Sequence, residues 1–176
     1  MLFDPNDLDT DFFLYREGPI VVTCDRAIWE NGIKWLVNAR GFKRHHWTLN
    51  TEEAFYDEVS ETLSWKEQFG YERWNGNLDA LNDGASACEF TEGQRILISI
   101  DNADRLKNWF GQRTANIWDI FKDASRMQLI FGVGLLLIVY SKSNEEVEEW
   151  SKVDRVFELR ANEFLGGQLA RNASKL

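Results

Sequence analysis

Trp74-Asn75-Gly76-Asn77-Leu78-Asp79-Ala80-Leu81-Asn82-Asp83 joins an aromatic loop rich in Gly and Asn to a short helix, and the rest of the chain can be read outward from it. Asn77 is an N-cap by type, because its side-chain oxygen can accept a free N–H of the first turn. Helical spacing from there puts Leu78 and Leu81 on one face and points Asp79 and Asp83 the other way. Like charges at i,i+4 destabilise an isolated helix by about 0.2–0.5 kcal/mol. A helix that needed only solubility would carry a Lys at one of those places, so the pair reads as displayed.

Upstream, Asn50 and Glu53 stand at capping-box spacing, and the helix they open carries Phe55, Val59 and Leu63 at i, i+4 and i+8. A loop through Trp65, Phe69, Gly70, Tyr71 and Trp74 links it to the acidic helix. Before it, Phe42 to Leu49 reads as a strand. Ala27 to Ala39, with Ile28, Trp29, Ile33, Leu36 and Val37 near helical spacing, reads as a helix stopped by Gly41. Ile20-Val21-Val22-Thr23-Cys24 is a β-branched strand run.

Downstream, Arg95 to Ile100 (RILISI) is a buried-strand run ending at the turn pair Asp101-Asn102. A helix with Trp109, Ile117, Trp118, Ile120 and Phe121 runs to roughly Arg126 or a little beyond. Gly132-Val133-Gly134 reads as a turn before the strand Leu135 to Tyr140 (LLLIVY). Strand, helix, acidic helix, strand, helix, strand is the order of a parallel sheet with helices packed over it, an α/β architecture. Beyond Tyr140, the acids Glu145, Glu146, Glu148 and Glu149 with the apolar edge Val147, Trp150 and Val153 predict a helix, and RVFELR is open to a strand reading. The end, QLARNASKL, reads as frayed. At 176 residues the expectation is a single domain over 1–176, with a core at about 42–140, an added βα unit at about 19–41 and an acidic C-terminal segment at about 141–176.

The formal net charge is −9, from 29 acidic and 20 basic residues. That argues against nucleic acid or an anionic membrane as the main partner, since both need a basic patch. It suits a basic partner protein, although solubility alone is an equal explanation of the charge. Hydrophobic residues make up 44% of the chain, which marks it as globular. Cys24 and Cys88 have no metal-ligand spacing and read as reduced, buried thiols. The acidic start MLFDPNDLDTDFF has no basic n-region of a signal peptide. Met127 to Tyr140, the most apolar stretch, is 14 residues with two glycines, too short to span a bilayer. A cytoplasmic, monomeric protein is expected.

The segment WNGNLDALND resembles the core signature of the barstar family, small acidic inhibitors of barnase-type ribonucleases. Asn77, Leu78, Asp79, Ala80, Leu81 and Asp83 match the family pattern one for one. The departures are Gly76, one place later than the usual glycine, Arg73 where an aromatic is common, and Gly84-Ala85 in place of a more apolar continuation. The order of elements extends the resemblance from about Phe42 to Tyr140. It implies a barstar-like small parallel sheet covered by helices, with an added N-terminal βα unit and a C-terminal extension. It also implies a function: an intracellular inhibitor that blocks a basic ribonuclease, with the acidic helix imitating the substrate's phosphates. The alternative is an immunity or regulatory module of the same fold, directed at a different toxin.

On this reading Asp79 and Asp83 enter the cationic active site of the nuclease, where Lys, Arg and His would otherwise hold a phosphodiester. The plainer reading of Asp79 is a first-turn acid favoured by the helix dipole by about 0.3–1 kcal/mol, which does not extend to Asp83. The resemblance also implies a contact from Asp123, in IFKDASR, for which a solvated surface acid is the competing reading. Tyr71, Arg73 and Trp74 form the neighbouring loop, where rings either pack on the partner or tuck onto the core. Arg73 would repel a basic enzyme unless it pairs internally. Asn77 orients the helix, and Asn82 offers a polar contact.

No catalytic residue, metal or cofactor is expected. His45 and His46 are adjacent on a strand and point to opposite faces, so they cannot readily share a metal or act as an acid–base pair. Ser-His-Asp elbows, phosphate-cradling glycine loops and HExxH motifs are all missing from the chain.

Overall fold

The structure is a computed structural model and describes residues 18–154 and 156–158. The acidic N-terminal stretch and QLARNASKL lie outside the described residues. Five strands, β1 (Ile20–Thr23), β2 (Lys43–Trp47), β3 (Arg95–Ile100), β4 (Gly134–Tyr140) and β5 (Val156–Glu158), form one sheet in the order β2-β3-β4-β1-β5. Every pairing is parallel, with Trp47 opposite Ile100, Ile98 opposite Leu137 and Ile20 opposite both Leu137 and Val156. The α/β architecture expected from the order of elements is thus present. The sheet is wider than the three strands read in the core region, because β1 enters it between β4 and β5. The added βα unit is built into the sheet and does not flank it.

Parallel strands covered on both faces read as continuous apolar runs, and β3 and β4 show how the two faces are shared. Ile96, Ile98, Ile100, Leu135, Leu137 and Val139 point into the main core, while Leu97, Leu136, Ile138 and Tyr140 point to the opposite face. That second face is covered by α1 (Arg26–Arg40) through Trp29, Ile33 and Leu36. Asp25 starts α1 by accepting from the N–H groups of Ala27 (2.8 Å) and Ile28 (3.1 Å). Gly41 ends it at φ +70°, as expected of a left-handed C-terminal glycine. His46 faces α1, with Nδ1 3.1 Å from Ser99 and the ring 5.9 Å from Trp29. Half-buried His45 alternates to the other face, and burial lowers its pKa.

The main face carries α2 (Glu52–Thr62), α3 (Trp65–Phe69), α4 (Leu78–Ala87), α5 (Leu106–Phe110), α6 (Thr114–Ile130) and α7 (Asn144–Trp150). Several readings from sequence are corrected here. The cap of α2 is Thr51, whose side chain accepts from Ala54 N–H at 3.1 Å; Asn50 instead donates to Thr48 Oγ1 at 3.1 Å. Trp65–Phe69 is a turn of helix rather than loop. The helix expected across Trp109 to Arg126 is two helices, broken where Gly111 takes φ +57°. Cys24 is exposed and donates to Asn144 Oδ1 at 3.3 Å, whereas Cys88 is buried; both are free thiols. After Tyr140 both expectations hold: α7 buries Val147 and Trp150, and β5 follows as a strand.

Candidate functional site

The loop before α4 is built on α2. The Glu58 carboxylate accepts from the N–H (2.9 and 3.0 Å) and hydroxyl (2.7 Å) of Thr48, which fixes the exit of β2 beneath the helix. Ser60 accepts the N–H of Trp74 at 2.8 Å and donates to the Tyr56 carbonyl at 2.6 Å. The Trp74 ring then enters the core, edge-on to Phe55 (5.6 Å) and Tyr56 (5.0 Å) and stacked on Phe110 (6.1 Å). Its indole N–H donates to the carbonyl of Asn77 at 2.7 Å, so a buried ring holds the first residue of the cap. Trp74 is 0% exposed. The expected contact from this residue is corrected: it is the ring that tucks onto the core, and it supports the helix from below. Tyr56 hydrogen-bonds Glu52, and burial together with that bond pushes its phenol up to about 12. Gly76 turns the loop at φ +87° directly against the Tyr56 ring, where no side chain fits.

Asn77 caps α4 as its residue type predicts, with its side-chain oxygen accepting from Asp79 N–H at 2.9 Å and Ala80 N–H at 3.4 Å. Leu81 is fully buried, and Gly84 and Ala85 continue that face. The Gly84 departure has a steric cause: a Cβ there would stand 2.5 Å from Cζ3 of the buried Trp65 ring. At the far end, buried Gln128 of α6 donates to the carbonyls of Cys88 (2.8 Å) and Ser86 (3.4 Å). The helix is therefore pinned at both ends and along one side.

Asp79, Asn82 and Asp83 occupy its outer face, all exposed. Among the described residues, no Lys, Arg or His pairs with either carboxylate. Four residues of helix rise about 6 Å, so the two charges stand one turn apart on a rigid support. Such an array can engage a cationic surface without rearranging.

The other expected residues divide. Tyr71 is 48% exposed, its ring leaning on Phe69 (5.9 Å) and Trp65 (6.1 Å). Arg73 is exposed and pairs with Asp57 at 3.2 Å, the internal pairing that a cation here requires beside a basic partner. Asp123 lies exposed on α6, the helix against which α4 packs, and is 3.5 Å from Arg126. So Tyr71, Arg73, Asn77, Asp79, Asn82 and Asp83 share one loop–helix unit, and Asp123 belongs to the neighbouring helix. Asp123 is the one expected contact beyond Asp83 in the chain. The structure adds Phe90 and Met127, which with Asp83 line a groove at the end of α4; Met127 begins the most apolar stretch of the sequence.

The described residues contain no helix long and apolar enough to cross a membrane. No individual curated protein and no solved structure matches the chain. The family model of barstar, described as barnase inhibitor, matches residues 46–141, which include β3, β4, α2 to α6 and the whole acidic loop–helix unit. That is more than half of the 176 residues, and the chain belongs to the barstar family.

Proposed function

We propose that the protein inhibits a basic ribonuclease of the barnase type by placing α4 in its active site. The observation that carries this reading is the outer face of α4: Asp79 and Asp83, exposed and without a cation among the described residues, on a helix anchored by Trp74, Asn77 and Gln128. The two carboxylates take the places of substrate phosphates and accept hydrogen bonds from the Lys, Arg and His side chains that bind RNA. Asn82 adds a neutral polar contact, Tyr71 packs at the margin and excludes water, and Asp123 reaches the partner from α6. The net charge of −9 speeds the approach of a basic enzyme. This steering fades with salt, because charges beyond about 8–10 Å are screened at physiological ionic strength.

A second reading is an immunity module of the same fold against another class of nuclease toxin. It draws on β1, α1, α7 and β5, which lie outside the matched residues and give this sheet strands that a different partner could use. Cleavage of RNA by a barnase-type ribonuclease, titrated with wild type and with Asp79→Ala/Asp83→Ala, separates the possibilities. The proposal expects inhibition by wild type and its loss in a double variant that still folds. Inhibition that survives the double change moves the site elsewhere, and a wild type without effect leaves the immunity reading in its place.

A further inference from the structure

Where α4 and α6 end side by side, the surface opens into a groove of about 790 Å³. Its walls are Asp83 on α4, Glu89, Phe90 and Glu92 on the following segment, and Met127 and Phe131 at the end of α6. The floor is fixed by the Gln128 hydrogen bond to the Cys88 carbonyl, and Gly93 N–H closes the rim onto the Gly132 carbonyl at 3.0 Å.

Two features of the groove point to the same occupant. The first is apolar. Of the four large hydrophobic side chains exposed among the described residues, Met127 and Phe131, at 42% and 61%, line the groove, and Ile130, at 75%, stands outside it on the same end of α6. Apolar surface clustered like this on a soluble protein marks a binding site rather than chance exposure, and Met adapts readily to a partner's shape. The second is electrostatic. The charged residues lining the groove, Asp83, Glu89 and Glu92, are all acidic. Both helices also direct their C-terminal ends here, the negative pole of the helix dipole, and neither carries a basic residue in its last turn. An apolar cleft inside a negative field fits a cationic segment with an apolar tip, and it disfavours an acidic or neutral one.

We propose that this groove receives a basic loop of the nuclease, seating one large apolar side chain between Met127 and Phe131 with flanking Lys or Arg against Glu89 and Glu92. This rests on the inhibitor reading above. Asp83 belongs both to the outer face of α4 and to the groove wall, so the two surfaces form one continuous interface. Within that interface Asp79 and Asp83 occupy the active site, and the groove adds contact area outside it.

Association and dissociation rates of the full chain with a barnase-type ribonuclease test the proposal. The proteins compared are wild type, Met127→Ser/Phe131→Ser, Glu89→Lys/Glu92→Lys and Asp79→Ala/Asp83→Ala, each checked for folding by urea titration. The apolar double change should speed dissociation about tenfold, as expected for removal of a buried anchor. The charge reversal should slow association several-fold at low salt and less at high salt. Wild-type binding with both groove variants unchanged overturns the groove and leaves the inhibitor reading intact. A wild type that does not bind overturns both. Sedimentation of the free proteins covers the remaining occupant: a wild-type dimer made monomeric by Met127→Ser/Phe131→Ser would assign the groove to a second copy and overturn the proposal. The charge-reversal pair keeps the test decisive if the apolar variant does not fold.

Discussion

Carboxylates stand in two different settings in this molecule, and the contrast between them supports the proposed site. Asp101 is gripped by Arg26 through two hydrogen bonds of 2.8 and 2.9 Å, with the guanidinium 4.1 Å from the Tyr140 ring centre. Glu58 holds the backbone and hydroxyl of Thr48, and Asp25 caps α1. These acids satisfy donors that the fold itself must bury or terminate. Asp79 and Asp83 are the reverse case. They stand on a short helix anchored by Trp74, Asn77 and Gln128, yet among the described residues no cation pairs with them. Internal carboxylates stabilise, whereas those on α4 remain open to a partner, as the proposed function requires.

Trp74→Ala should produce the largest effect, because it removes a fully buried ring touching Phe55, Tyr56 and Phe110 together with the indole bond that steadies Asn77. Loss of about 3–5 kcal/mol in urea unfolding is expected; a loss below 1 kcal/mol would break the claim that this ring supports the helix. Glu58→Ala tests the internal class directly. It leaves the Thr48 N–H without its acceptor and should lower stability by about 1–3 kcal/mol. Asn77→Ala removes the cap of α4 and should lower stability by about 1 kcal/mol, with faster amide hydrogen exchange at Asp79 and Ala80 as the local readout.

The smallest effect concerns Glu146, which accepts from Ser141 at 3.1 Å and whose pKa is raised, first by burial and then by Asp104 and Glu149. The folded state therefore holds this proton more tightly than the unfolded chain does. Stability from this group is fully present below the ordinary glutamate range, about 4.3, and is lost as pH rises through the raised value. Glu146→Gln should lack that loss, so its urea midpoint should gain on wild type between about pH 4 and pH 7. Parallel midpoints across that range would contradict the assignment.

Much of this fold was legible because local and tertiary preferences agree. RILISI and LLLIVY are strands whose residues are buried on both sides of the sheet, and Asn77 is a cap with no competing acceptor beside it. Where two neighbours could serve equally, tertiary contacts decided. Thr51 has the extended backbone of a cap, φ −136° and ψ 165°, while the Asn50 amide is engaged by Thr48, so the cap lies one residue later than the capping-box spacing implied. Trp74 beside a charge cluster is ambiguous from sequence, since its burial depends on Phe110 far along the chain. The position of β1 inside the sheet is equally illegible, because pairing with β4 involves residues more than a hundred positions apart. The groove is hidden in the sequence because Met127 and Phe131 sit in an apolar stretch that runs into a buried strand, yet the phase of α6 buries Ala124 and Gln128 and turns Met127 outward.

The most direct test is to measure urea unfolding and ribonuclease affinity of Asp79→Ala/Asp83→Ala on the same preparation. Stability should change by no more than about 0.5 kcal/mol, in either direction, because a like-charge pair is relieved as a first-turn acid is lost. Affinity should fall at least about 30-fold, as expected when one side of a desolvated charge pair is truncated. Unchanged affinity, or a stability loss as large as the affinity loss, would contradict the claim that these carboxylates are held for a partner.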